Sequence, residues 1–425
     1  MWLLQLVLII AACHVCGYVA ERVGQCRVVG EISAGIVLGP SVLGAVLPEF
    51  HTTMFASAAT AGMSQLGEIG LVLLMFEIGL HMQSGGNRNN SGYLKRAPIS
   101  AKLPALVAVF GLLLPFALGV IVAFCSKSTL APAQAATPYL LFCGVALAVS
   151  AVPVMARIVV DLKLARHPLA TAAMSAAMLT DIAGWLMLAA IASIAGAEHG
   201  GDGAAGLLRP LASIVLYALG CIAGVRYLVK PWLMRAAARQ DTQAVFTLVT
   251  CCVLLSAWTT SHLGFHSAFG ALLPGILLRD VDVVREQWER TLGGFVRIVL
   301  MPVFFSYAGL HTSIASVDGY DAWLWFGAFL VAGFAGKYGG AYLASRVCGL
   351  PSNDASVIAS LMNARGLMEL IVLSIGLQLG ILPTRVYTIL VLFALVTTAM
   401  TTPLVRHHLR HHFRAAHAPL PDPQR

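Results

Sequence analysis

Thirteen stretches of this chain are each long and apolar enough to cross a bilayer, and little lies between them. A crossing helix takes about 17–25 apolar residues. By that measure the stretches run approximately 2–19, 30–47, 63–82, 103–125, 138–161, 167–195, 207–229, 243–263, 266–284, 295–314, 321–346, 353–380 and 384–405. Inside hydrocarbon every backbone N–H and C=O needs a partner within the protein, and stretches of this length satisfy that as helices. With 58% of residues hydrophobic and 11% charged, the chain has too little charge to face water as a soluble domain. The expected fold is therefore all-α and polytopic: a transmembrane domain over residues 1–405, then a short basic, histidine-rich cytoplasmic tail over 406–425.

The 27 lysines and arginines fix an orientation. With the N-terminus outside, 22 of them fall at or near the cytoplasmic face, Arg157 and Arg297 included, and only Lys127, Arg209 and Arg385 fall outside. Lys337 and Arg365 belong to neither set, because both lie within apolar stretches. The net charge of +8 is thus an orientation signal and not a nucleic-acid footprint. The nine cysteines sit mostly within apolar stretches and read as small buried hydrophobes. Cys13 and Cys16 form a CxxC with no second pair to complete a zinc site. Residues 10–13 resemble a lipoprotein cleavage box, but no basic n-region precedes them, so the first helix is expected to be retained.

An odd count with a middle helix left over suggests two six-helix halves, inverted relative to each other and joined by the seventh helix. The fifth stretch is interrupted by Ser150, Ala151, Val152 and Pro153. The twelfth, its counterpart, is interrupted by Asn363, Ala364, Arg365 and Gly366. One starts outside and the other inside, so the two breaks are placed to cross at mid-membrane. Non-helical backbone at that depth is tolerated only against protein or water, and the half-helix ends bring opposed dipoles together.

The sixth stretch carries one acid, Asp181, with fourteen residues on either side of it between His167 and Ala195. An acid so deep costs roughly 2.5 kcal/mol or more and is by default functional. Burial raises a carboxyl's affinity for protons while a neighbouring cation lowers it. Such a group can hold a proton or a desolvated monovalent cation, but not both. Thr180 and Ser150 offer further oxygen ligands, or else bond their own helix backbone. Lys337 pairs with Asp181 when no cation is bound, or neutralises dipole ends at the crossing. Arg365, with Glu369 at i+4, reads first as a local ion pair within the second break. Glu31 begins a stretch and is expected to cap it, and Glu77 lies deep with no assigned partner.

Two motifs carry no weight. Residues 201–206 match GxGxxG but follow a membrane helix instead of a strand, so they read as an external glycine-rich turn. His407, His408, His411, His412 and His417 have helical spacing, and a basic membrane-surface tail explains them more simply than metal binding.

With these residues in view, the chain resembles the second branch of the monovalent cation/proton antiporter superfamily, which includes bacterial Kef-type and sodium/proton antiporters and plant cation/proton exchangers. The blocks that carry the resemblance are 30–44, 66–80, 146–164, the Thr-Asp pair at 180–181, 301–312, Gly336-Lys337, 361–376 and 388–405, and they look closest to the plant-exchanger-like subgroup. The resemblance implies a thirteen-helix sodium/proton antiporter fold with crossed, unwound helices. It also implies a core over about 103–195 and 321–405, a dimerisation scaffold from the remaining helices, a homodimer, and elevator-like alternating access. Asp181 would be the ion- and proton-binding acid. Family members usually carry Asn or Asp where this chain has Thr180, and many carry Thr where it has Ser150. With one acid in the pair, exchange of one cation for one proton is the expectation.

The expected partners are monovalent cations, protons and the lipid bilayer of the cell membrane, with no cofactor and no enzymatic constellation. Only about twenty polar residues follow Val405, so no nucleotide-binding regulatory domain is expected in this chain. Three alternatives stay open at this stage: a proton-coupled exporter of an organic solute, a channel, and a non-transporting sensor on the same scaffold.

Overall fold

The computed structural model describes residues 2–55, 57–81, 102–162, 164, 167–197, 205–265, 267–310 and 319–416. Arg88, Lys95, Arg96, Lys163 and Arg166, most of the glycine-rich turn at 201–206, and the tail from 417 on lie outside the described residues. Every regular element among the described residues is helical. In chain order they are α1 (Trp2–Arg22), α2 (Arg27–Leu38), the short α3 (Leu43–Val46) and α4 (Pro48–Phe55), α5 (Ser57–His81), α6 (Leu103–Leu130), α7 (Ala136–Ala148), α8 (Val152–Asp161) and α9 (Pro168–Ala197). There follow α10 (Ala205–Ala223), α11 (Lys230–Ala238), α12 (Thr242–His262), α13 (Ser267–Leu278), α14 (Asp282–Trp288), α15 (Met301–Leu310), α16 (Tyr320–Val347), α17 (Ser352–Met362), α18 (Leu367–Gln378) and α19 (Thr384–Ala416). Wider π-helical turns join α10 to α11 and lead into α15.

Helix therefore lies on each of the thirteen apolar stretches. Among the described residues, eight spans are long and apolar enough to cross a bilayer by length and composition, the fifth stretch among them. The fifth and twelfth stretches divide where the sequence places their polar interruptions, into α7 and α8 and into α17 and α18. Pro153 sits in the first turn of α8, where its missing N–H costs nothing. Gly349, in the left-handed region at φ 84°, ends α16 and lets Leu350 N–H return to the Ser345 carbonyl at 3.1 Å.

The helices pack in two groups. In one, α6 lies along α16 and also against α7 and α9, while α17 packs on α16, α19 and α9. In the other, α2 lies between α1 and α15, and α5 lies along α13. Lipid tails supply no hydrophobic drive between helices, so close backbone approach through small residues carries the packing. A Cβ on Gly340 of α16 would stand 2.4 Å from the Phe110 carbonyl oxygen of α6. One on Gly35 of α2 would stand 2.1 Å from the Ser306 carbonyl oxygen of α15.

Candidate functional site

The two breaks meet. The Ala151 N–H, just before α8, donates to the Ala364 carbonyl oxygen, just after α17, at 3.2 Å. Around this contact lie four half-helix ends, whose terminal backbone groups have no partner within their own helix.

The C-terminal end of α7 is covered by two cations. Arg365 donates from one guanidinium nitrogen to the carbonyls of Ala146 and Val149, at 2.9 and 3.2 Å, and from the other to Leu147. The Lys337 ammonium donates to Ala148. Four successive carbonyls are thus satisfied from residues more than 180 positions away. Both side chains are fully buried, and positive charge at a helix C-terminus also complements the dipole. The guanidinium lies over the Phe393 ring of α19, 4.4 Å from its centroid, and its backbone N–H donates to Thr398 Oγ1 at 2.9 Å.

The N-terminal ends face acids. The Val152 N–H, the first of α8, donates to Asp181 Oδ2 at 3.3 Å. Glu369 sits in the first turn of α18, its Oε1 3.4 Å from Arg365 Nη1. The expected local pair exists, but it is a minor share of what Arg365 does. Its long-range carbonyl contacts could not be read from spacing along one helix.

Asp181 is 2% exposed, midway along α9. Its Oδ1 closes no hydrogen bond, and among the described residues no cation stands within salt-bridge distance of the carboxylate. Lys337 donates to the Ala148 carbonyl at the end of α7 and closes no salt bridge with Asp181. Thr180 Oγ1 lies 3.2 Å from Ser150 Oγ and 2.8 Å from the Ala177 carbonyl oxygen. The bond to the Ala177 carbonyl is the helix-backbone contact expected of Thr180. One hydroxyl proton serves the helix backbone, while the oxygen stays beside Ser150 in the break. The result is a buried cluster of side-chain oxygens from Ser150, Thr180 and Asp181, with Asp181 Oδ1 closing no hydrogen bond.

One expectation needs correction. Glu31 does not cap α2. The N-cap position is Cys26, without a side-chain cap, and it is Asp161 of α8 whose Oδ2 accepts the Arg27 N–H at 3.2 Å. Glu31 instead pairs with Arg157 across 3.4 Å. Arg157 is accordingly no surface cation, being only 5% exposed. Its i,i+4 spacing to Asp161 inside an apolar half-helix was the sequence signal for burial. Glu77 finds Arg297 at 3.0 Å.

A cavity of about 210 Å³ opens between α5, α8 and α9. Its rim carries the exposed Glu289 and the half-exposed Arg297, and its floor carries the buried Glu77 and Arg157. Met174, one of its lining residues, precedes Asp181 by seven residues on α9, or about 10 Å along the axis.

With this geometry in place, comparison with known proteins is decisive at the level of family. The family described as sodium/hydrogen exchanger, transmembrane, matches residues 8–407. The chain belongs to that family. It is 32% identical over 407 residues to the Na(+)/H(+) antiporter NhaS4 of Synechocystis sp., covering 95% of this chain and 96% of the relative. It is 33% identical over 415 residues to cation/H(+) antiporter 20 of Arabidopsis thaliana, covering 95% of this chain and 48% of the relative. The chain thus spans about half the length of that plant protein. The solved structure of the sodium proton antiporter MjNhaP1 from Methanocaldococcus jannaschii at pH 8 superposes with a TM-score of 0.63 at 15% identity, covering 98% of this chain and 99% of the other. The expected membership of the monovalent cation/proton antiporter superfamily agrees with these relatives.

Proposed function

We propose that this exchanger-family chain moves a monovalent cation, Na+ or K+, against protons across the cell membrane. Asp181 takes the two in competition, with Ser150 and Thr180 as accessory oxygen ligands. The observation that carries the reading is the Asp181 carboxylate itself. It is buried, accepts the Val152 N–H at the start of α8, closes no hydrogen bond on its second oxygen and, among the described residues, forms no ion pair. Lys337, Arg365 and Glu369 are charge compensation for the crossing, which keeps a dry site polar without contributing a second ligand charge. One acid then supports electroneutral exchange of one cation for one proton.

The same reading takes α6–α9 and α16–α19 as a core that moves as a body against a scaffold of the other helices, in elevator-like alternating access. It takes the thirteen stretches as thirteen crossings in two inverted six-helix repeats, with the N-terminus outside, the C-terminus cytoplasmic, and a homodimer formed through the scaffold. The distribution of Lys and Arg supports that orientation, and it makes the 210 Å³ cavity the cytoplasmic approach to Asp181.

The test is proton movement in sealed proteoliposomes under an imposed pH gradient, with Na+, K+ or Li+ added in turn. Asp181→Asn keeps the shape and the acceptor for Val152 N–H. The expected result is cation-dependent dissipation in the wild type and none in the variant. A flat response of folded, inserted wild type to all three ions would reject the alkali-cation reading and favour an organic solute or a sensor.

A further inference from the structure

The buried ion pair between Glu31 and Arg157 joins α2 to α8, a half-helix that packs on α9 of the first group and on α2 and α5 of the second. Glu31 belongs to α2, which lies against α1 and α15. Arg157 belongs to α8, the half-helix whose first N–H holds Asp181. Arg157 Nη2 stands 3.4 Å from Glu31 Oε1, and its Nε stands 3.4 Å from Asp161 Oδ1. Asp161 closes the loop by accepting the Arg27 N–H of α2. The far end of α8 is therefore tied to α2 by charge, while its near end is tied to the ion-binding acid. Beside this tie the boundary is incompletely filled, since the cavity lies between Leu74 and Glu77 of α5 and Ala156 and Thr171 of α8 and α9.

We infer that Arg157 is a positioning residue for transport: its pair with Glu31 interlocks the Asp181-bearing helices with the scaffold and holds them in the position seen here. The inference rests on the proposed movement of core against scaffold. A displacement of α8 by one helical turn, about 5.4 Å, separates the two charges. Arg157 keeps Asp161 on its own helix, whereas Glu31 has no other ion-pair partner among the described residues and is left buried and uncompensated. The pair thus weights the equilibrium toward the cavity-open conformation. It sets what fraction of molecules can receive an ion from that side, and apparent affinity scales with that fraction.

The experiment uses the full chain with its cysteines replaced and Thr171→Cys as reporter in the cavity. Labelling by a membrane-impermeant thiol reagent is compared between the parent and Glu31→Gln/Arg157→Gln, alongside proteoliposome transport. Labelling is expected to fall at least threefold, with the apparent cation KM shifted more than kcat. An unchanged or faster labelling rate in a variant that elutes like the parent overturns the interlock. Should the double variant misfold, Glu31→Gln alone carries the test, with a smaller fall expected and no change overturning it. Labelling reports the interlock even if no cation is transported, so its failure is distinguishable from failure of the exchange reading.

Discussion

Replacing Arg365 tests whether the crossing depends on carbonyl capping or on the local ion pair. In Arg365→Leu the carbonyls of Ala146, Leu147 and Val149 lose their donors at a place no water reaches. Each buried acceptor left unpaired costs about 1–3 kcal/mol, so the three together cost about 3–9 kcal/mol. Loss of the contact with Phe393 adds roughly 0.5–2 kcal/mol. Glu369 is also stranded, although it can relieve part of its penalty by taking up a proton. Arg365→Lys keeps the charge but not the planar fork that spans several acceptors. The assay is the apparent melting midpoint in detergent, read as a rank order because unfolding of such proteins is commonly irreversible. The expected order is wild type, then Arg365→Lys, then Arg365→Leu/Glu369→Leu, then Arg365→Leu. If Arg365→Leu melts with the wild type, capping contributes nothing. If the double variant recovers fully, the pair with Glu369 was the whole effect.

Lys337→Met should lower the melting midpoint by less than Arg365→Leu, because a single carbonyl, Ala148, loses its donor; an equal or larger loss would show that the ammonium does more than cap. Competition at Asp181 predicts that the apparent cation KM rises by about tenfold per unit fall in pH once the carboxyl is mostly protonated, with the maximal rate at saturating cation much less affected. A KM that is independent of pH throughout the measurable range would exclude a shared site. Gly340→Ala should destabilise by about 1–3 kcal/mol, since the obstructing atom is the Phe110 backbone oxygen and cannot rotate away; a wild-type midpoint would mean that α6 and α16 separate freely.

Residue chemistry in the chain located the breaks and the acid, because polar or helix-breaking residues inside apolar stretches stand out without any knowledge of tertiary structure. Ser150–Pro153 and Asn363–Gly366 divide their helices where expected, and Asp181 lies beside the first break. What could not be read was which distant group each charge would meet. Arg365 and Glu369 are neighbours on one helix and were legible as a pair, but the α7 carbonyls lie 216 to 219 residues away and carry no side-chain signal. Glu31 looked like a cap because it opens an apolar stretch, yet α2 begins four residues earlier, at Arg27. That shift puts Glu31 on the second turn, where it faces Arg157. Arg157 was counted among the charges that mark the cytoplasmic side, and its side chain is in fact inside the protein.

The capping of α7 also has a consequence in time. The carbonyls of Ala146 to Val149 leave the ribosome well before their donors, since Lys337 follows Ala148 by 189 residues and Arg365 follows Ala146 by 219. At about 5–20 residues per second that interval is roughly 10–45 s. Through it the first broken helix cannot reach its final state, and a nascent chain that has inserted only its first nine stretches is unfinished at its centre. The crossing is thus a late checkpoint of biogenesis. Quality control that recognises exposed polar backbone in the bilayer would see a chain stalled between the fifth and the twelfth stretch, and would cease to see it when the twelfth stretch docks.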